Sequence, residues 1–290
     1  MLRRMPGPVA LVGSGEFLPA MNQVDAGLLA ATGRARARVA ILPTASFPDG
    51  PDVFERWASM GVEHFSQLGA EVEPVLVRDR ADADDDGHVQ AIGEADLIYL
   101  SGGKPGYLSS ILDGTAVGRA LVAAHHRGAT LAGCSAGAMA LTGRHFDLRR
   151  RRLIWPLRWR AGLGIVPDAS VLPHYDAWPE AFSALLALQA PRGTAILGID
   201  EETAAVGRDG SWQVHGRARV TVWRGHRRER FRSGDVFRRW ASMGSSTSRR
   251  SAPRSSRFSS AIASTRTMPP TSRRSARPIS STSRAASPAI

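Results

Sequence analysis

The constraint that most limits this chain is a recurring alternation of short apolar runs with helical stretches. Residues 9–12, 39–42, 72–77, 97–100 and 130–132 are short and rich in Val, Ile, Leu and Ala, too brief for helices. Between them, residues 24–31, 53–68 and 116–126 carry apolar residues at helical spacing. Strands that are apolar on both faces and separated by helices predict a mostly parallel sheet covered on both sides, an α/β three-layer sandwich. Further on come a strand at 170–172, a helix at 180–189 and a strand at 196–199. The runs 204–206, 212–215 and 219–223, joined by Arg-Asp-Gly-Ser and His-Gly-Arg turns, predict antiparallel hairpins at a sheet edge. One domain over residues 5–240 is expected.

Beyond that boundary the composition changes. Residues 245–290 hold nine arginines and no acidic residue, so most of the formal net charge of +12 belongs to this tail. The stretch VFERWASMG at 53–61 returns as VFRRWASMG at 236–244, with eight of nine residues identical at an offset of 183. Past that point, codons for 62–107 read one base out of frame reproduce 42 of the 46 tail residues under some choice of synonymous codons. The tail is therefore read as a partial internal duplication in a shifted frame. Codons 245–290 of the gene should align to codons 62–107 with a one-base offset, and failure to align overturns that reading. Its Ser, Arg, Pro and Thr content is too polar to offset the entropy of ordering, so disorder is expected. The competing reading, a Ser/Arg tail that binds RNA, rests on composition alone. The shifted-frame account leaves no nucleic-acid partner.

Other classes are narrowed by what the chain contains. No run of about 18 apolar residues exists to span a membrane, and the first residues lack a secretory apolar core. A single cysteine excludes an internal disulfide framework and any multi-cysteine metal site. No His, Cys and carboxylate set has metal-ligand spacing, and Gly102-Gly103-Lys104 lacks the full spacing of a phosphate loop. The expectation is a cytoplasmic protein with no cofactor, no metal and no membrane partner, for which a homodimer is compatible with the sequence.

The chemistry-bearing stretch is Gly133-Cys134-Ser135-Ala136-Gly137, between a strand and residues that begin helically. This is the context of a nucleophile elbow, and its central residue is Ser135. Cys134, one place early, is expected to point into the sheet. A serine needs a base, and the base needs an orienting group. Of eight histidines, His64, His125 and His126 fall on amphipathic helices and are expected at the surface, and His88 closely follows the acidic stretch 82–86, read with it as a loop. His174 follows Val171-Leu172-Pro173 at the C-terminal end of a strand, where open α/β sheets place their sites. Ile199-Asp200-Glu201-Glu202 also follows a strand, and one of its carboxylates is the candidate orienter. The Ala136 N–H and the paired glycines Gly102 and Gly103 are candidate oxyanion donors. Arg149 and Arg150, in an arginine-rich segment with Arg144, Arg151, Arg152, Arg158 and Arg160, are candidate contacts for a substrate carboxylate.

Taken together, the paired glycines Gly102-Gly103, Gly133-x-Ser135-Ala136-Gly137, His174 and Gly198-Ile199-Asp200-Glu201 resemble peptidase family S51. That family groups aspartyl dipeptidases and cyanophycinases on a class I (type 1) glutamine amidotransferase-like fold. The resemblance implies a serine-type peptidase or amidohydrolase acting through an acyl-enzyme. It implies a triad of Ser135, His174 and Glu201, an oxyanion hole from Gly103 and Ala136, and Gly102 beside the substrate. The partner it implies is a small peptide or amide. Where cyanophycinases carry a glutamine after the glycines and polar residues before the histidine, this chain has Lys104-Pro105 and Leu172-Pro173. The alternative reading is a catalytically inactive, amidotransferase-like binding protein.

Overall fold

The computed structural model describes residues 5–146 and 157–238. The strands are β1 (Val9–Val12), β2 (Arg38–Leu42), β3 (Glu71–Pro74), β4 (Leu97–Leu100), β5 (Thr130–Cys134), β6 (Arg144–Phe146) and β7 (Trp159–Ala161). They continue with β8 (Ala169–Leu172), β9 (Ala195–Ile199), β10 (Thr203–Arg208), β11 (Ser211–Gly216), β12 (Arg219–Arg224), β13 (Arg227–Arg232) and β14 (Val236–Arg238). The α-helices are α1 (Asn22–Ala31), α2 (Pro51–Gln67), α3 (Asp86–Glu94), α4 (Pro105–Leu112), α5 (Ala116–Arg127), α6 (Ala136–Leu141) and α7 (Glu180–Gln189).

The main sheet has eight strands in the order β14-β11-β10-β1-β5-β4-β2-β3. Its half β1-β5-β4-β2-β3 is parallel. β10, β11 and β14 extend it antiparallel. Strands β1, β4 and β5 are buried at every position, as a sheet covered on both faces requires. Successive side chains alternate between faces. Ile98 and Leu100 join a core with Leu108, Val117 and Leu121 of α4 and α5. Leu97 and Tyr99 face the other way, into a core with Val24, Leu28 and Phe65 of α1 and α2.

The hairpins expected at one sheet edge divide between two sheets. β10 and β11 join the main sheet, whereas β12 and β13 build a second sheet in the order β13-β12-β9-β8. The chain crosses from the second sheet to the first between β9 and β10, at residues 200–202. There the end of β1 meets the crossing: the Gly13 N–H donates to the Thr203 carbonyl of β10 at 2.9 Å, and a Cβ on Gly13 would fall 2.2 Å from the Asp200 carbonyl oxygen and 2.6 Å from that of Ile199, at the end of β9. This crossing carries the acidic turn to the rim of the main sheet.

Two further expectations are corrected. The acidic stretch at 82–86 is not simply a loop. Asp85 caps α3, its carboxylate accepting from the Gly87 and His88 N–H groups at 2.9 and 3.1 Å, because a short acceptor side chain satisfies the free amides of a helix start. His64 and His125 are not at the surface; both are only 7% exposed. His64 turns inward because Asp25, on α1, takes its ring N–H at 2.8 Å. The tail at 245–290 and its expected disorder lie outside the described residues. Among the described residues no helix is long and apolar enough to cross a membrane.

Candidate active site

In the parallel half, the ends of β1, β4 and β5 lie side by side, with Val12 opposite Cys134 and Leu100 opposite Gly133. Ser135 is the next residue. Its backbone stands at φ 49° and ψ −106°, outside the helical and extended regions. Such a conformation costs on the order of 1–3 kcal/mol. It is held from both sides: the Ser135 N–H donates to Val12 and its carbonyl accepts from Met139, at 2.9 and 3.0 Å. The flanking glycines are steric requirements. A Cβ on Gly133 would lie 2.5 Å from the Gly137 carbonyl carbon, and one on Gly137 would lie 2.2 Å from the Leu100 oxygen. The turn therefore projects the Ser135 side chain at the strand end, half-buried.

The second sheet brings His174. β8 ends at Leu172, and His174 takes a left-handed conformation at φ 50° and ψ 41°. Its Nε2 lies 3.2 Å from Ser135 Oγ. Its Nδ1 lies 2.9 Å from Glu201 Oε1. With a carboxylate at Nδ1, the proton sits on that nitrogen and Nε2 is left to accept from the serine hydroxyl. Glu201 is seated in turn by its backbone, whose N–H donates to Asp176 Oδ1 at 3.0 Å. The neighbouring acids have other partners. Glu202 faces Arg217 at 3.1 Å. Asp200 is 2% exposed and pairs with Arg219 at 3.1 Å; burial raises its carboxyl and Arg219 opposes the rise.

The glycine pair lies across from the serine. Gly103 sits at φ +139°, and a Cβ there would meet the Ala45 oxygen at 2.2 Å. Neither the Gly103 nor the Ala136 N–H donates a hydrogen bond among the described residues. The Gly102 N–H is occupied, donating to Glu16 Oε1 at 2.8 Å. Glu16 was not among the candidates. The signal that could have found it is a lone acid inside Gly13-Ser14-Gly15-Glu16-Phe17, directly after a fully buried strand. Asp176, two residues past the histidine, was also missed.

A cleft of about 680 Å³ opens beside these groups, with Gly103 and His174 in its wall. Its lining is mainly apolar and aromatic, from Tyr107, Met139, Phe146, Leu172 and Trp178, with Lys104, Asp49 and Arg160 adding charge. Lys104 Nζ is paired with Asp49 Oδ1. Of the arginine segment, Arg160 reaches this cleft, and Arg144 and Arg158 are exposed. Arg149 and Arg150 lie outside the described residues. A second cleft, of about 460 Å³ and lined by His125, Val166, Arg208 and Trp212, holds no serine or cysteine.

Peptidase family S51 matches residues 9–215, a span that contains Glu16, Gly102, Gly103, Ser135, His174 and Glu201. The cyanophycinase of Synechococcus elongatus is 30% identical over 228 residues, covering 74% of this chain and 67% of that protein. The cyanophycinase of Nostoc sp. strain PCC 7120 is 28% identical over 225 residues, covering 74% and 72%. The crystal structure of a peptidase from an acI-B1 Actinobacterium superposes with a TM-score of 0.73 at 32% identity, covering 81% of this chain and 98% of that one. The chain thus belongs to peptidase family S51 and is a hydrolase of the serine-peptidase type.

Proposed function

We propose that the protein hydrolyses a small peptide or amide through a Ser135–His174–Glu201 triad. The observation that carries this reading is the continuous chain of contacts from Ser135 Oγ to His174 at 3.2 Å and from His174 to Glu201 at 2.9 Å. Ser135 Oγ attacks the scissile carbonyl carbon as His174 Nε2 takes its proton. The carbonyl oxygen becomes the oxyanion, facing the unoccupied N–H groups of Gly103 and Ala136. As the C–N bond breaks, His174 returns the proton to the leaving nitrogen and an acyl-enzyme remains. Water, deprotonated by the same nitrogen, adds to the ester and releases Ser135. Glu201 holds the ring in the required tautomer and stabilises the imidazolium.

The cleft volume suits a ligand of a few residues at most. Lys104-Pro105 and Leu172-Pro173 line that cleft where the cyanophycinase pattern has glutamine and polar residues, which argues for a substrate other than cyanophycin. Labelling by a fluorophosphonate probe tests the reading. Wild type should label and Ser135→Ala should not, and folded wild type that fails to label would leave an inactive binding protein as the better account. A dipeptide library, with N-terminal Asp compared against other residues, then assigns the substrate.

A further inference from the structure

Glu16 is 6% exposed, yet its carboxylate is met by two donors from two different strand ends. Oε1 accepts the Gly102 N–H at 2.8 Å, and Oε2 accepts the Cys134 thiol at 2.8 Å. Gly102 belongs to the glycine pair after β4, and Cys134 is the last residue of β5 before Ser135. The loop after β1 is contorted to deliver this side chain. Gly15 and Phe17, on either side of Glu16, stand at φ +82° and φ +63°. A non-glycine residue with positive φ is uncommon and strained for a bulky side chain. Phe17 holds that strain by burying its ring against Tyr99, His64 and Phe65, with centroids 5.1, 5.8 and 6.2 Å away. Burial and the neighbouring Glu16 push the Cys134 thiol well up, so it stays protonated and remains a donor. Space is also set by this contact, because a Cβ on Gly102 would fall 2.7 Å from Glu16 Oε1 and 3.5 Å from the Ser135 Cβ.

We propose that Glu16 is a positioning residue: its carboxylate clamps the Gly102 amide in place, fixing the next amide, Gly103, as the oxyanion donor opposite Ser135. The clamp rests on the reading of Ser135 as nucleophile. By occupying the Gly102 N–H, Glu16 fixes the orientation of the preceding peptide unit. With Gly103 held at positive φ against Ala45, its N–H is left for the developing charge. Glu16 touches neither substrate nor Ser135 Oγ, so its loss should slow the reaction without weakening binding.

The test is fluorophosphonate inactivation of the full chain, separated into a saturating rate and a half-saturation concentration, with thermal melts to confirm folding. The phosphoryl oxygen of the probe occupies the oxyanion position as fluoride leaves. Removing an oxyanion donor costs about 10²–10³-fold, so Glu16→Ala and Glu16→Asp should lower the saturating rate about 100-fold. Half-saturation should stay within about threefold. Glu16→Gln, which keeps an acceptor for Gly102, should recover most of the rate, and Cys134→Ala should lose less than about threefold. Glu16→Asp decides the matter if Glu16→Ala does not fold. Wild-type rates in either folded variant, a change confined to half-saturation, or an equal loss in Cys134→Ala would overturn the clamp. Wild type that never labels would instead overturn the triad, and the clamp with it.

Discussion

Among the described residues, two histidine–carboxylate pairs of nearly equal length have opposite surroundings. At the rim of the sheets, His174 meets Glu201 at 2.9 Å, with side chains 41% and 48% exposed. Between α1 and α2, His64 meets Asp25 at 2.8 Å, with side chains 7% and 0% exposed. The second pair is more buried and equally short, but its ring packs on Phe17 and Phe65 with centroids 5.8 and 5.1 Å away, and among the described residues no serine or cysteine is hydrogen-bonded to it. A histidine bound to a carboxylate is therefore not enough to make a base. What separates the rim pair is a serine on the second ring nitrogen and a cleft alongside.

The sharpest way to break this comparison is to remove each histidine. His174→Ala should abolish fluorophosphonate labelling, a loss of at least about 10⁴-fold on the scale of triad deletions, while His64→Ala should label as wild type does. Equal losses would mean that the interior pair takes part in catalysis. The reciprocal effect concerns stability. Burial raises the Asp25 carboxyl, and the His64 hydrogen bond opposes the rise. Asp25→Ala breaks a buried pair and should cost about 3–5 kcal/mol in urea unfolding, whereas Ser135→Ala should cost little.

A third histidine sharpens the role of burial. His215, on β11 and 7% exposed, is pushed down by burial to about 4. A depressed folded-state value means that stability is fully present above the unfolded value of 6.5 and is lost as pH falls toward 4. That interval corresponds to about 3 kcal/mol. Unfolding free energy should fall by about this amount from pH 7 to pH 4, and His215→Gln should flatten the slope. A slope that survives the substitution would assign it to other groups.

The smallest contrast is between adjacent acids. Glu201→Gln removes the charge at His174 Nδ1 while keeping the shape, and half-exposure limits its weight. Labelling should fall about 100-fold, equivalent to about 2.7 kcal/mol. Glu202→Gln touches only the Arg217 pair and should change labelling less than about twofold. Reversal of that order would make Glu202 the orienting acid.

Much of this architecture was legible because burial leaves a strong local mark. Helix α7, at 180–189, and strands β1 and β4 lie at the expected residues. The parallel order follows from runs that are apolar on both faces. The Ser135 turn was legible because steric exclusion at Gly133 and Gly137 demands glycine. Helix α4 was missed, although Pro105 at its start is a favourable first residue that supplies φ and needs no amide partner. The inward turn of His64 was missed because an amphipathic pattern does not say which polar residue finds a carboxylate 39 positions away.

The sequence by itself determined the parallel α/β core, the elbow at Ser135 and the order of serine, histidine and acid. Those follow from local rules: apolar periodicity, the volume of a Cβ and the ends of strands. Only the tertiary structure decided that Glu201 and not Glu202 or Asp200 faces His174, because the crossing between two sheets at residues 200–202 sets where each side chain points. It alone placed Glu16 between Gly102 and Cys134, 86 and 118 positions away. A hydrogen bond depends on distance and direction in space, and no local pattern encodes either across such separations.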